Sequence, residues 1–183
     1  RSFEEVFMSL DIPYRVLGGT KFYDRKEIKD MIAYMTLVLN PADDIAFERI
    51  INEPKRSVGE KTLEKLRVLA EQRNASLFEV LTYDDVLDGL SQKAAEGLHN
   101  LIKLLAECHA QHDEMKVSDI YDRLMTDSGY LKALEDAKTV EAEGRIEHLL
   151  EFKSVLYDRE EENPQLSLAE FLENVALMAD VDN

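Results

Sequence analysis

Asp24-Arg25-Lys26-Glu27-Ile28-Lys29-Asp30-Met31-Ile32-Ala33-Tyr34-Met35-Thr36-Leu37-Val38-Leu39-Asn40-Pro41 is the stretch from which the fold can be read. Ile28, Met31, Ile32, Met35, Val38 and Leu39 recur at three- and four-residue intervals, which predicts one helix with a single buried stripe. Asp24, with Glu27 three residues on, stands where an N-terminal cap belongs, and Asn40-Pro41 closes the element. Downstream, a short helix is expected over roughly 43–52, burying Ile45, Phe47, Ile50 and Ile51. The tight connection Glu53-Pro54-Lys55-Arg56-Ser57-Val58-Gly59 then leads into a helix carrying Leu63, Leu66, Leu69 and Ala70. Ser76 with Glu79 starts another short helix, and long ones follow near 91–112, 117–127, 129–137, 141–160 and 167–179. The acidic run Asp158-Arg159-Glu160-Glu161-Glu162-Asn163-Pro164 reads as a solvated loop.

Upstream, Ser2 and Glu5 make a capping-box pattern ahead of the apolar face Phe3, Val6, Phe7 and Leu10. Asp11-Ile12-Pro13 ends that helix, and Tyr14-Arg15-Val16-Leu17 is a short strand candidate stopped by Gly18-Gly19. A lone short strand cannot satisfy its own backbone, so this stub wants a sheet elsewhere and points to a piece of a longer protein. The expected fold class is mainly α: a helical body preceded by a helix–strand stub.

With 183 residues, 45% hydrophobic and 33% charged, the chain suits one sizeable folded domain. No apolar run approaches the ~18 residues of a membrane span, so no membrane partner is expected. Cys108 is the single cysteine, which excludes an internal disulfide and fits a reducing, cytoplasmic compartment. Net charge is −16, yet residues 1–73 hold 13 Lys+Arg against 13 Asp+Glu, while residues 74–183 hold 9 against 25. A polyanion, if one is bound, belongs to the first part. The acidic later helices read as a solvated face, with docking of a basic partner or keeping DNA off that side as the alternatives.

The connection at residues 54–62 has phosphate chemistry within reach. The helix that follows it presents N–H groups without helical partners and the positive end of its dipole. Gly59 admits close backbone approach, Thr62 adds a hydroxyl, and Lys55, Arg56 and Lys61 supply cations. Such a device would grip nucleic-acid backbone without reading bases. On the residues alone, a plain polar turn explains the same stretch more simply.

Other chemistry-bearing residues have bland readings. Cys108, His109, His112 and Asp113 have metal-ligand side chains but no second cluster to complete a zinc site, and read as a polar helix end. His148 in an apolar stripe reads as a hydrogen-bonded or half-exposed residue. Asp43-Asp44 and Asp84-Asp85 read as helix starts. Arg25, Glu27, Lys29 and Asp30 suit a solvated face. No Gly-x-x-x-x-Gly-Lys-[Ser/Thr] loop occurs, so nothing here cradles ATP phosphates in that way.

Gly18-Gly19, Phe22, Arg25, Glu27-Ile28-Lys29-Asp30, Tyr34, Asn40-Pro41, Asp43-Asp44, Arg49, Asn52, Pro54, Arg56, Gly59, Thr62 and Leu66 form an ordered string. Ser128-Gly129-Tyr130 and Arg145-Ile146-Glu147-His148-Leu149-Leu150-Glu151-Phe152 extend it. Together they resemble the region after motif IV in superfamily 1 DNA helicases of the PcrA/UvrD/Rep type, the PcrA branch above all. The resemblance implies the tail of the RecA-like 2A motor domain over residues 1–20 and the helical 2B domain over 21–183. It alone implies, for Arg25, Glu27, Lys29 and Asp30, a contact with another domain as the alternative to a solvated face. It implies a DNA-binding, regulatory role within an ATP-dependent 3′-to-5′ helicase, with ATP and Mg in the parent protein and no cofactor or catalytic residue in this fragment. Implied partners are duplex DNA, single-strand/duplex junctions, the parent's motor domains and accessory replication or repair proteins. The implied DNA-contacting residues, in a helix-hairpin-helix-like turn, are Lys55, Arg56, Ser57, Val58, Gly59, Lys61 and Thr62. The alternative is a protein-docking or autoinhibitory module. The chain departs from the family in having Ser57 where Gly–aliphatic–Gly begins, and Thr36 and His148 where Arg and Asn are common.

Overall fold

The computed structural model describes residues 20–181, with side chains from 21 to 178. The expected helix over Phe3–Leu10 and the strand at Tyr14–Leu17 lie outside the described residues. Eleven α-helices follow one another among those described: α1 (Thr20–Tyr23), α2 (Lys26–Leu39), α3 (Asp44–Ile50), α4 (Glu60–Gln72), α5 (Leu77–Val80), α6 (Asp84–Asp88), α7 (Gln92–Gln111), α8 (Val117–Asp127), α9 (Tyr130–Ala137), α10 (Val140–Glu162) and α11 (Leu168–Val181). A single 3-10 turn, His112–Glu114, joins α7 to α8. The mainly-α expectation holds.

The centre of the body is α2, packed against α3, α7, α8, α10 and α11. Ile28, Met31, Tyr34, Met35, Leu37 and Val38 have no exposure at all, whereas Ile32 and Leu39, expected on the buried stripe, are only partly covered. A helix buried on most of its circumference has no single stripe, which is why a one-face reading fell short here. Its start also differs from expectation. Asp24 and Arg25 close α1, their N–H groups bonding Lys21 O and Phe22 O at 3.3 Å each. The N-cap is therefore Arg25, without a side-chain cap. Glu27 turns inward instead.

Side chains cap several of the other helices. Asp43 accepts from Ala46 N, Ser76 from Glu79 N, Ser91 from Ala94 N and Thr139 from Ala142 N. Asp84-Asp85 opens α6. Two readings are corrected. Ile45 is 87% exposed, because α3 turns Ala46, Phe47 and Ile50 to the core and so carries Ile45 outward. The run 158–162 is helix, not loop. Glu160 accepts from Ser118 N at 2.9 Å and from Ser118 Oγ at 2.6 Å, so α10 caps α8 with its own last turn. Arg159 lies over the Phe171 ring at 5.9 Å. These two contacts tether the run, and the chain leaves the helix only at Asn163.

Phe22, Tyr23, Phe152, Phe171 and Tyr121 form an aromatic cluster joining α1, α8, α10 and α11. Tyr121 anchors it, donating its hydroxyl to Leu149 O at 2.6 Å.

Candidate nucleic-acid interface

Between α3 and α4 the chain reverses over residues 51–59, and its side chains alternate in burial. Lys55 and Ser57 are exposed; Arg56 and Val58 are buried. Asn52 governs the alternation, its Oδ1 accepting from Arg56 N at 2.6 Å and Val58 N at 3.3 Å. Tyr34 on α2 donates its hydroxyl to Glu53 O at 2.5 Å. Ser57 has φ 62, the left-handed region that favours glycine. This is the position where the family pattern has its first glycine.

Gly59 caps α4 with extended backbone and no side chain, and a Cβ there would meet nothing within 4 Å. The start of α4 is thus open. Lys61 is exposed and Thr62 half-buried beside it. The one acid at this end, Glu60, is 3.2 Å from Arg67 Nη1, and the same guanidinium holds Glu48 at 2.6 Å and Glu64 at 3.0 Å. Its hydrogen bonds keep the Glu48 carboxyl below the usual range.

Arg56 faces inward. Its side chain is only 8% exposed. Nη1 donates to Ile50 O at 2.7 Å and Ile51 O at 3.2 Å; Nη2 donates to the Tyr34 hydroxyl at 2.7 Å and to Ser128 O at 3.4 Å. The last carbonyls of α3 carry the negative end of a helix dipole and attract the cation. A guanidinium so placed offers nothing to a phosphate outside. Val58 likewise turns its side chain into the core and spends its N–H on Asn52. Of the seven expected residues, the structure leaves Lys55, Ser57, Gly59 and Lys61 exposed and Thr62 partly so.

Beneath the turn lies a polar cluster that the sequence reading left open. Asp30, 1% exposed, accepts from the Tyr130 hydroxyl at 2.6 Å, Lys26 Nζ at 2.8 Å and Arg49 Nε at 2.9 Å. Glu27, 3% exposed, lies 2.5 Å from His148 Nδ1 and 3.9 Å from Arg145 Nε. These acids are structural couplings between α2, α3, α9 and α10, not a solvated face. A signal existed: Glu27 precedes Met31 by four residues and Asp30 precedes Tyr34 by four, so both stand on buried lines of α2. Burial and Asp30 push the Tyr130 phenol far up.

Cys108 is buried, which raises its thiol pKa. His109 Nδ1 lies 2.7 Å from Val38 O. No group of three His, Cys, Asp or Glu side chains suited to a metal occurs among the described residues. No helix there is long and apolar enough to cross a membrane.

The family model described as the UvrD-like helicase C-terminal domain matches residues 1–183. The chain is 40% identical over 184 residues to an ATP-dependent DNA helicase PcrA of Staphylococcus epidermidis. It is 41% identical over 184 residues to the ATP-dependent DNA helicase PcrA of Staphylococcus aureus. In both cases all of this chain is covered and 25% of the relative. The chain therefore spans about a quarter of the length of the curated relatives it matches.

Proposed function

Since the chain belongs to the UvrD-like helicase C-terminal domain family, we propose that it is the 2B-type accessory body of an ATP-dependent 3′-to-5′ DNA helicase, holding duplex backbone near a single-strand junction. ATP and Mg act in the motor domains of the parent protein, on which this body rides. Residues 1–20 belong to that motor and 21–183 to the accessory body. The setting is cytoplasmic, on nucleoid DNA, with no membrane partner.

One observation carries the reading. The open N-terminus of α4 stands beside exposed Lys55, Ser57 and Lys61, on a turn pegged from within by Arg56, Val58 and Asn52. Free N–H groups, a helix dipole and flanking cations together favour a phosphate. With two exposed lysines meeting about two phosphates, binding should be weak, on the order of 10⁻⁴ M near physiological salt, with a log–log salt slope of about −2. The test is anisotropy titration of this chain against two unrelated duplexes with 3′ tails at several salt concentrations. Replacing Lys55 and Lys61 by Ala should flatten the slope by about two units, equally for both sequences. An unchanged slope removes the turn from the interface.

A second reading, a protein-docking module, is favoured by α10. Its basic side chains face inward or across to neighbours: Arg145 and the His148 imidazole to Glu27, Lys153 to Asp122, Arg159 to Phe171. Glu143, Glu147, Glu151, Asp158 and Glu161 are exposed around Leu150 and Tyr157, each of those two being 50% exposed. Charge reversal at Glu147 and Glu151 that leaves duplex binding intact but abolishes docking of a basic partner would put this reading first.

A further inference from the structure

Arg56 joins four elements that meet under the α3–α4 turn. Its guanidinium caps the end of α3 and reaches Tyr34 on α2 and Ser128 at the α8–α9 turn. Its aliphatic stem lies on α7: a Cβ at Gly97 would come within 3.2 Å of Arg56 Cβ and 3.4 Å of its Cγ. The neighbouring Pro54 rests on the α8–α9 turn, where a Cβ at Gly129 (φ 86) would stand 3.6 Å from Pro54 Cγ. A Cβ at Gly97 would force the Arg56 stem to give by a few tenths of an ångström.

We propose that Arg56 is a positioning residue for duplex contact: its buried guanidinium holds the turn in the shape that exposes Lys55, Ser57 and the start of α4, and its charge never reaches a phosphate. This rests on the α3–α4 turn being the DNA-contacting element. Lysine in its place would keep the charge but not the geometry, because an ammonium cannot reach carbonyls of α3, a hydroxyl on α2 and Ser128 O with one planar fork.

The experiment uses this chain as Arg56→Lys and, as a milder variant that keeps the ring, Tyr34→Phe. Two readouts are taken: amide hydrogen exchange, and duplex titration across salt. The amides of Arg56, Val58 and Leu63, which are hydrogen-bonded to Asn52 Oδ1 and Gly59 O, should exchange about tenfold faster in both variants, the loss of roughly one charge-assisted hydrogen bond, while those of α11 are unchanged. Duplex affinity should fall about five- to tenfold with the salt slope preserved, since no phosphate contact is removed. Wild-type exchange at the turn in folded Arg56→Lys would overturn the proposal. So would full affinity in Arg56→Lys combined with a slope about one unit flatter in Arg56→Gln, the signature of direct phosphate contact. If Lys55→Ala and Lys61→Ala leave the slope untouched while the exchange effect appears, the DNA reading has failed and the clamp stands.

Discussion

Replacing Asp30 by Asn tests whether the cluster under the turn is a load on stability or an ornament. The carboxylate takes two donors on Oδ2, Tyr130 Oη and Lys26 Nζ, and one on Oδ1, Arg49 Nε. An amide has one accepting oxygen. If it faces Tyr130 and Lys26, the NH₂ group meets Arg49, donor against donor; if it faces Arg49, the other two lose their acceptor. Breaking a buried pair by removing one partner is commonly worth about 3–5 kcal/mol. Here Lys26 and Arg49 are 42% and 38% exposed, so both turn to water at small expense. The expected loss is therefore about 2–3 kcal/mol, most of it from the buried Tyr130 end. Tyr130→Phe should follow at about 1.5 kcal/mol, and Arg49→Gln last, at about 1 kcal/mol or less. Urea unfolding followed by far-ultraviolet circular dichroism reads the series. With a slope near ~2 kcal/mol/M, Asp30→Asn should lower the midpoint by about 1 M. A loss under about 0.5 kcal/mol, or Arg49→Gln proving the most damaging of the three, would refute the account.

Three further outcomes follow from named contacts. The phenols of Tyr23, Tyr34, Tyr121 and Tyr130 are all raised, chiefly by burial, Tyr23 to about 12. Their contribution is thus intact below pH ~10 and lost above it at about 1.4 kcal/mol per pH unit for each phenol, so urea midpoints should fall steeply from pH 10 to 11 and stay flat if the burial is wrong. Ser57→Gly should stabilise the chain by about 0.5 kcal/mol, relief of the left-handed conformation outweighing the added freedom of the unfolded chain, with the duplex salt slope unchanged; a lower melting temperature would contradict this. Glu160→Ala removes both acceptors of Ser118 and should lose about 1–2 kcal/mol, with faster amide exchange at 158–162; unaltered exchange there would show the last turn of α10 to be held by something else.

The mainly helical body was legible because apolar spacing and caps speak locally. Ser76 caps where the sequence places a helix start, and Leu63, Leu66 and Ala70 are buried as the spacing predicts. Where local spacing fell short, a distant partner often decides: the 158–162 run and Glu27 have fates set far along the chain. Glu160 is drawn into helix by Ser118, forty-two positions away, and Glu27 is drawn inward by His148, 121 away. No local pattern carries those partners, although the buried register of Glu27 and Asp30 on α2 could have warned that they do not face water.

At the candidate site, electrostatics explains how the turn sorts its cations. The connection runs from the C-terminus of α3, where unsatisfied carbonyls and the dipole favour positive charge, to the N-terminus of α4, where they oppose it. The planar fork of Arg56 satisfies the carbonyls at the first end and is buried in doing so. Lys61 stands in the first turn of α4, where a cation is disfavoured by a few tenths of a kcal/mol in isolation. An arriving phosphate reverses that sign, since it is attracted by both the helix end and the ammonium. The lysine therefore makes electrostatic sense at this helix end with an anion bound, whereas the arginine makes sense without one. The two residues look alike in sequence, and the helix end each one faces separates the cation that builds the turn from the cation left free at the surface.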